Sequence, residues 1–125
     1  MDPDTEERKE TRWWVICLCA EWCGVCREWR DAFNAQAASH PELHFAWVDV
    51  EDEADAMGDV DIETFPTLMI AREGEPMFFG PVLPSGSQFS RLLESLRQQE
   101  APAAGVSVEA APLLQRLSTS VLPNR

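Results

Sequence analysis

Two hydrophobic periods alternate along this chain, and the switches between them mark its elements. Trp13 to Cys19 is apolar on both faces (the run continues to Ala20), which predicts a central strand covered by helices on each side. From residue 23 to 38 the spacing changes to three and four, with Cys26, Trp29, Phe33 and Ala37 on one face and Arg27, Glu28, Arg30 and Asp31 on the other. That pattern predicts an amphipathic helix, ended by Pro41. His44 to Val50 reads as a second strand, parallel to the first because a helix crosses between them. Ala54, Met57 and Val60 are spaced to anchor a short helix. Thr67–Ala71 and Met77–Phe79 predict an antiparallel hairpin around Arg72-Glu73-Gly74-Glu75. Ser85 and Gln88 then form a capping box ahead of a last strong helix, whose stripe is Phe89, Leu92, Leu93 and Leu96.

The ends of the chain break this pattern. Eight of the eleven residues 2–12 carry charge and none of the segment reads as a strand, so the core is expected to begin at Trp13. Residues 101–125 form an Ala/Pro-rich tail with two readings. It is either unordered or, starting from Pro112 in a first turn with Leu113, Leu114 and Leu117 on one face, a helix that docks on the sheet or on a partner. The expected organisation is therefore a charged segment 1–12, one α/β domain 13–100 and the tail 101–125.

Charge and cysteine content narrow the function. A formal net charge of −12 argues against nucleic acid or an anionic membrane as partner. Nine carboxylates and no Lys or Arg lie between Glu42 and Glu63, which reads as a solvated face or as steering for basic partners, with Asp61 and Glu63 near Pro66. No apolar run reaches the roughly 18 residues of a membrane span. The start is Asp/Glu-rich rather than basic then apolar, so no secretory signal is read there. Four cysteines crowd into ten residues: Cys17 and Cys19 in the predicted strand, Cys23 and Cys26 at the start of the helix. Two spare thiols beside a reactive pair suit a reducing compartment, so a cytoplasmic location is expected, a mature periplasmic chain being the alternative.

Cys23 and Cys26 fall within one helical turn, so their sulfurs can close a short disulfide or open to a dithiol. Unpaired backbone N–H groups and the helix dipole at that end favour negative charge, which lowers the pKa of the first thiol and raises its nucleophilic fraction. Gly24 permits the tight strand-to-helix turn. A CxxC in a strand–helix context without a secretory signal points to redox chemistry.

The string Ala20-Glu21-Trp22-Cys23-Gly24-Val25-Cys26 resembles the Ala-Glu-Trp-Cys-Gly-Pro-Cys motif of the thioredoxin family, departing from it only at Val25. Phe65-Pro66-Thr67, with Pro66 forty residues after Cys26, resembles a second family mark, and Gly80 after the hairpin a third. The resemblance covers about Trp13 to Gln99. It implies a thioredoxin-like four-stranded mixed sheet in the order 2-1-3-4 with helices on both faces, the family's outer N-terminal strand being absent. It further implies a thiol–disulfide oxidoreductase acting on protein or peptide disulfides, with Cys23 attacking and Cys26 resolving. Trp22, Gly24, Val25, Phe65, Pro66 and Gly80 would then line the substrate groove, with Pro66 in the cis form and Phe65 offering its backbone to an extended peptide. No cofactor or metal is expected beyond the Cys23–Cys26 disulfide itself. The partners implied are a disulfide substrate and a thioredoxin reductase-type electron donor, for a monomer that binds neither nucleic acid nor membrane.

Three rivals stand beside that reading. A four-thiolate zinc site would need Cys17 and Cys19 to leave strand geometry. A glutaredoxin-like chain would carry Pro and Tyr between the cysteines. A thioredoxin-like adaptor would use the same groove with incidental redox activity. The family pattern is also broken in places. Cys17 stands where the family has a buried Asp that manages the proton of the second cysteine, and Trp47 falls near its Lys partner. Asp31 replaces a helix-kinking proline, which predicts a straighter helix.

Overall fold

The computed structural model describes residues 13–20, 23–60, 62, 65–99 and 106–122. The expectations for residues 1–12 lie outside them. Strand β1 (Trp13–Cys19) leads into helix α1 (Gly24–Ser39), and β2 (His44–Asp49) precedes a single turn of helix, α2 (Ala54–Met57). Then come β3 (Thr67–Arg72), β4 (Glu75–Pro81), α3 (Gly86–Gln98) and α4 (Ala110–Ser120). The four strands form one sheet in the order β2-β1-β3-β4. β1 runs parallel to β2 and antiparallel to β3, and β4 is antiparallel to β3.

Because side chains alternate across a strand, β1 feeds two separate cores. Trp13, Val15, Cys17 and Cys19 face α1 and α3, where Trp29, Phe33, Phe89, Leu93 and Leu96 close the layer. Aromatic rings fill its centre: Phe33 and Phe89 stack with centroids 5.9 Å apart, and Trp29 meets Phe89 at 5.2 Å. Ile16 and Leu18 face the opposite way, against Met57 of α2 and Leu113, Leu114 and Leu117 of α4. Burial of both sets is what made Trp13–Cys19 read as apolar on both faces.

The segment read as an Ala/Pro-rich tail thus contains a core element. Of its two readings, residues 110–120 realise the helical one, and Leu113 and Leu117 are fully buried. Arg116 ties α4 to α2: its Nε donates to the Ala56 carbonyl at 2.6 Å and its Nη2 to the Met57 carbonyl at 3.0 Å. These are carbonyls at the C-terminal end of α2, where such groups lack intrahelical partners. Gly58 follows with φ 61°, and a Cβ there would approach Arg116 to 3.3 Å. The short helix also differs from its expected anchors, since Ala56 and Met57 are buried while Ala54 is exposed.

The hairpin is tighter than its sequence suggested. Only Glu73 (φ 54°) and Gly74 (φ 83°) form the turn, and Arg72 pairs directly with Glu75. Two successive residues with positive φ give a turn whose twist matches that of the flanking strands, so both strands extend further than their hydrophobic runs. At the start of α3, Ser85 Oγ accepts a hydrogen bond from the Gln88 N–H, the capping contact that the sequence indicated.

Candidate thiol–disulfide site

β1 ends and α1 begins around the two cysteines of the motif. The Cys23 N–H donates to the Ala20 carbonyl at 3.0 Å, closing the turn, and Cys23 is the extended N-cap residue of α1 (φ −82°, ψ 117°). The thiol is partly open to solvent beside the exposed Gly24 and Val25. The Cys26 backbone N–H, the Cys26 thiol, the Val25 N–H and the charge of Arg27 together pull the Cys23 thiol below its ordinary value, against a smaller penalty from burial. This is the electrostatic character of a helix N-terminus, realised by named donors.

Cys26, one turn further on, is 1% exposed. Burial pushes its thiol well above the ordinary value, and a side-chain hydrogen bond with Cys19 adds to the rise. The pair is therefore asymmetric, with an accessible thiol stabilised as thiolate and a covered thiol held protonated.

Cys17 and Cys19 point into the same layer as Cys26, with their sulfurs 3.4 Å apart. The hydrogen bond with Cys17 and then burial drive the Cys19 thiol far upward. Cys17 lies directly across β1–β2 from Trp47, so the two departures from the family's Asp and Lys fall at one spot in the sheet. Trp47 instead carries the Arg30 guanidinium over its ring at 4.9 Å and meets Phe33 edge-on. Among the described residues, Thr67 is the single buried polar residue, so no buried carboxylate stands beside Cys26 there.

The other predicted site residues are placed unevenly. The Phe65–Pro66 peptide bond is cis, and Pro66 is buried immediately before β3, whose first residue, Thr67, pairs with Leu18. The Pro66 carbonyl accepts from the Val82 N–H at 3.1 Å, which fixes the chain leaving β4 against it. Phe65 and Cys23 are both half-buried against the same core. Gly80 is on β4, paired with Leu68, and a Cβ added there would meet Phe78 rather than a cysteine. Trp22, Asp61 and Glu63 lie outside the described residues.

Sequence reasoning missed a cleft of about 350 Å³ beside Cys26, lined among others by Arg27, Arg30, Asp49, Asp52, Glu53 and Val121. Asp49 is partly occupied locally, since its Oδ1 accepts the N–H groups of Glu51 and Asp52 at 2.8 and 3.2 Å. The acidic run after β2 was visible in the sequence, but nothing in it signalled that Val121 returns to this place. The sequence also held no sign that Cys19 and Cys26 would share one core layer.

A family model described as Thioredoxin matches residues 4–81. Putative thioredoxin 2 of Streptomyces coelicolor is 37% identical over 67 residues, covering 54% of this chain and 50% of that protein. Thioredoxin H-type of Fagopyrum esculentum is 34% identical over 61 residues, covering 49% of this chain and 53% of the relative. The chain thus spans about half the length of these curated relatives. Among solved structures, Fasciola hepatica thioredoxin superposes with a TM-score of 0.61 at 22% identity, covering 74% of this chain and 88% of that one. A poplar thioredoxin h gives 0.63 at 19% identity, covering 76% and 85%. At such identities these two superpositions speak for the fold alone. With the fold, the cysteine pair at the head of α1 and a family model that spans most of the chain in agreement, this chain belongs to the thioredoxin family.

Proposed function

We propose that the chain reduces protein disulfides through a dithiol cycle. The Cys23 thiolate attacks one sulfur of a substrate disulfide, forming a mixed disulfide and expelling the first substrate thiolate. Cys26 then loses its proton and attacks Cys23 Sγ. The second substrate thiol leaves, and the two electrons it carries away are balanced by a new Cys23–Cys26 disulfide. An external dithiol donor of the thioredoxin reductase type returns the pair to the reduced state, in a reducing compartment such as the cytoplasm. Trp22, Gly24, Val25, Phe65, Pro66 and Gly80 are assigned to the groove that receives the substrate peptide.

The observation that carries this reading is the asymmetry of the pair: Cys23 is reachable and favoured as thiolate, whereas Cys26 is covered and held protonated. A nucleophile must meet the substrate first, and a resolving thiol must stay unreactive until the mixed disulfide forms. Because no buried carboxylate stands beside Cys26 among the described residues, its proton leaves to water or to a carboxylate at the edge of the adjoining cleft, and resolution becomes the slow step.

Trapping tests the assignment. Cys26→Ser should accumulate a mixed disulfide with a disulfide-bonded test protein through Cys23, while the unsubstituted chain turns it over with a dithiol donor. Equal trapping through Cys26 in a Cys23→Ser chain would reverse the roles, and absence of turnover in the unsubstituted chain would leave a binding module in place of an enzyme.

A further inference from the structure

The resolving step needs somewhere for the Cys26 proton to go, and the sheet register points to one half-buried carboxylate. In the β1–β2 ladder, Cys17 pairs with Trp47 and Cys19 with Asp49. Phe45 and Trp47 pack into the layer that holds Cys17, Cys19 and Cys26, whereas Ala46 and Val48 belong to the opposite core. Alternation along β2 therefore puts the Asp49 side chain on the α1 side of the sheet. The end of β2 is held there, because the Val50 N–H donates to the Cys19 carbonyl at 2.9 Å. Asp49 Oδ1 accepts the N–H groups of Glu51 and Asp52 at 2.8 and 3.2 Å, which pins the carboxylate at the strand end. Asp49 and Cys26 line the same cleft of about 350 Å³.

We infer that Asp49 is the proton acceptor of the resolving step, reached from Cys26 through water in that cleft. This rests on the dithiol reading, which supplies the step. The Cys26 thiol passes its proton to a water, and a proton of that water goes to the Asp49 carboxylate. The Cys26 sulfur bonds to Cys23 Sγ, the mixed-disulfide bond breaks, and its electron pair leaves on the substrate sulfur as a thiolate. The proton on Asp49 then returns to solvent at the rim, so the carboxylate is regenerated.

The cleft suits this relay. A water takes about 30 Å³ of liquid volume, so several fit, and the polar lining gives them partners. Arg27 and Arg30 line it from α1, and a cation near Cys26 favours its thiolate over its thiol. Asp52 and Glu53 line it from beyond β2, but Asp52 is exposed and neither belongs to the strand that fixes Asp49 on the α1 side. The other titratable groups on this side are the thiols of Cys17, Cys19 and Cys23, while α3 contributes Phe89, Leu93 and Leu96 and the end of α4 contributes Val121. A proton relayed through water moves less readily than one passed directly, so resolution is assisted yet remains slow.

The test separates the two halves of the cycle. The reduced full chain is mixed with a disulfide-bonded test protein, quenched in acid at short intervals, alkylated and analysed by mass, which follows formation and decay of the mixed disulfide. Asp49→Asn keeps an oxygen to accept the Glu51 and Asp52 N–H groups. It should form the mixed disulfide at the unsubstituted rate but resolve it about tenfold or more slowly at neutral pH, less than the full value of a general base because water still serves. The gap should narrow in alkaline solution, where hydroxide takes the proton. Added imidazole should restore part of the lost rate in Asp49→Asn, and Asp49→Glu should resolve faster than Asp49→Asn, effects that a merely structural role would not produce. Asp55→Asn removes a charge of the same acidic run outside the cleft and should leave both rates unchanged. The proposal is overturned by unslowed resolution in Asp49→Asn, by a loss that is equal at all pH values and unmoved by imidazole, or by slowing confined to Asp52→Asn or Glu53→Gln. Failure of the unsubstituted chain to form any mixed disulfide through Cys23 would overturn the dithiol reading instead, so the two failures are distinct.

Discussion

Leu113 and Leu117 sit one helical turn apart on α4, and neither exposes any surface. Their side chains belong to the core formed by Ile16 and Leu18 of β1 and Met69 of β3, a floor of sheet that cannot sink to fill a hole. Truncating either to Ala removes three carbons, which by transfer alone costs about 2.4 kcal/mol at about 0.8 kcal/mol per carbon. A residual cavity adds to this, so about 3–4 kcal/mol is expected for each, within the usual range for buried leucines. A domain of this size has roughly 5–15 kcal/mol in total, so one such change removes a large fraction of it. The assay is urea unfolding of the reduced chain, followed by tryptophan fluorescence, with Val108→Ala as the control because Val108 is 91% exposed. The control should stay within about 0.5 kcal/mol. The midpoint for Leu113→Ala should fall with the slope unchanged. A loss below about 1 kcal/mol at both leucines would refute the reasoning, because it would mean that α4 leaves the sheet at little cost and that 101–125 behaves as a tail.

The remaining expectations concern charge and protons. Replacing Arg116 with Met keeps the apolar stem but strips the Ala56 and Met57 carbonyls of their charged donor, so thermal or urea unfolding should register a loss of about 1.5–3 kcal/mol. Cys19 and Cys26 are raised above ordinary thiols in the folded chain, so the folded state retains protons that the unfolded state releases. Their stabilising contribution is full below the unfolded thiol range and declines as pH rises above about 8.5, by up to about 1.4 kcal/mol per pH unit for each group. Urea midpoints between pH 7 and 10 check this, and Cys19→Ala should flatten the decline. Turnover should rise with pH above neutral, because the proposed cycle is slowest at deprotonation of Cys26. Cys17→Asp should raise the rate near pH 7, given a circular dichroism spectrum that shows the fold retained. General-base assistance is worth about 10²–10⁴-fold, so a rate unchanged in a folded variant would show that the proton leaves by another route.

What the sequence determined by itself was local. The double-faced apolarity of Trp13–Cys19, the stripe of Cys26, Trp29 and Phe33 and the Ser85–Gln88 cap each follow from a period or a hydrogen bond spanning a few residues, and each stands in the structure. The roles proposed for Cys23 and Cys26 were legible for the same reason, since a helix start acts on the residue that occupies it. The hairpin turn was legible in place but not in length, because two positive-φ residues at Glu73 and Gly74 let the strands pair beyond their hydrophobic runs. Only the tertiary structure decided what lies beside what. Leu113 and Leu117 read equally well as tail or helix until the open face of the sheet gave them something to bury against, which a short isolated helix lacks. Cys17 met Trp47 through strand register, and Cys19 and Cys26 came into one core layer because the turn at Ala20–Cys23 folds α1 back over β1. No periodicity records such neighbours, since contact between residues on different elements depends on how those elements pack rather than on spacing along the chain.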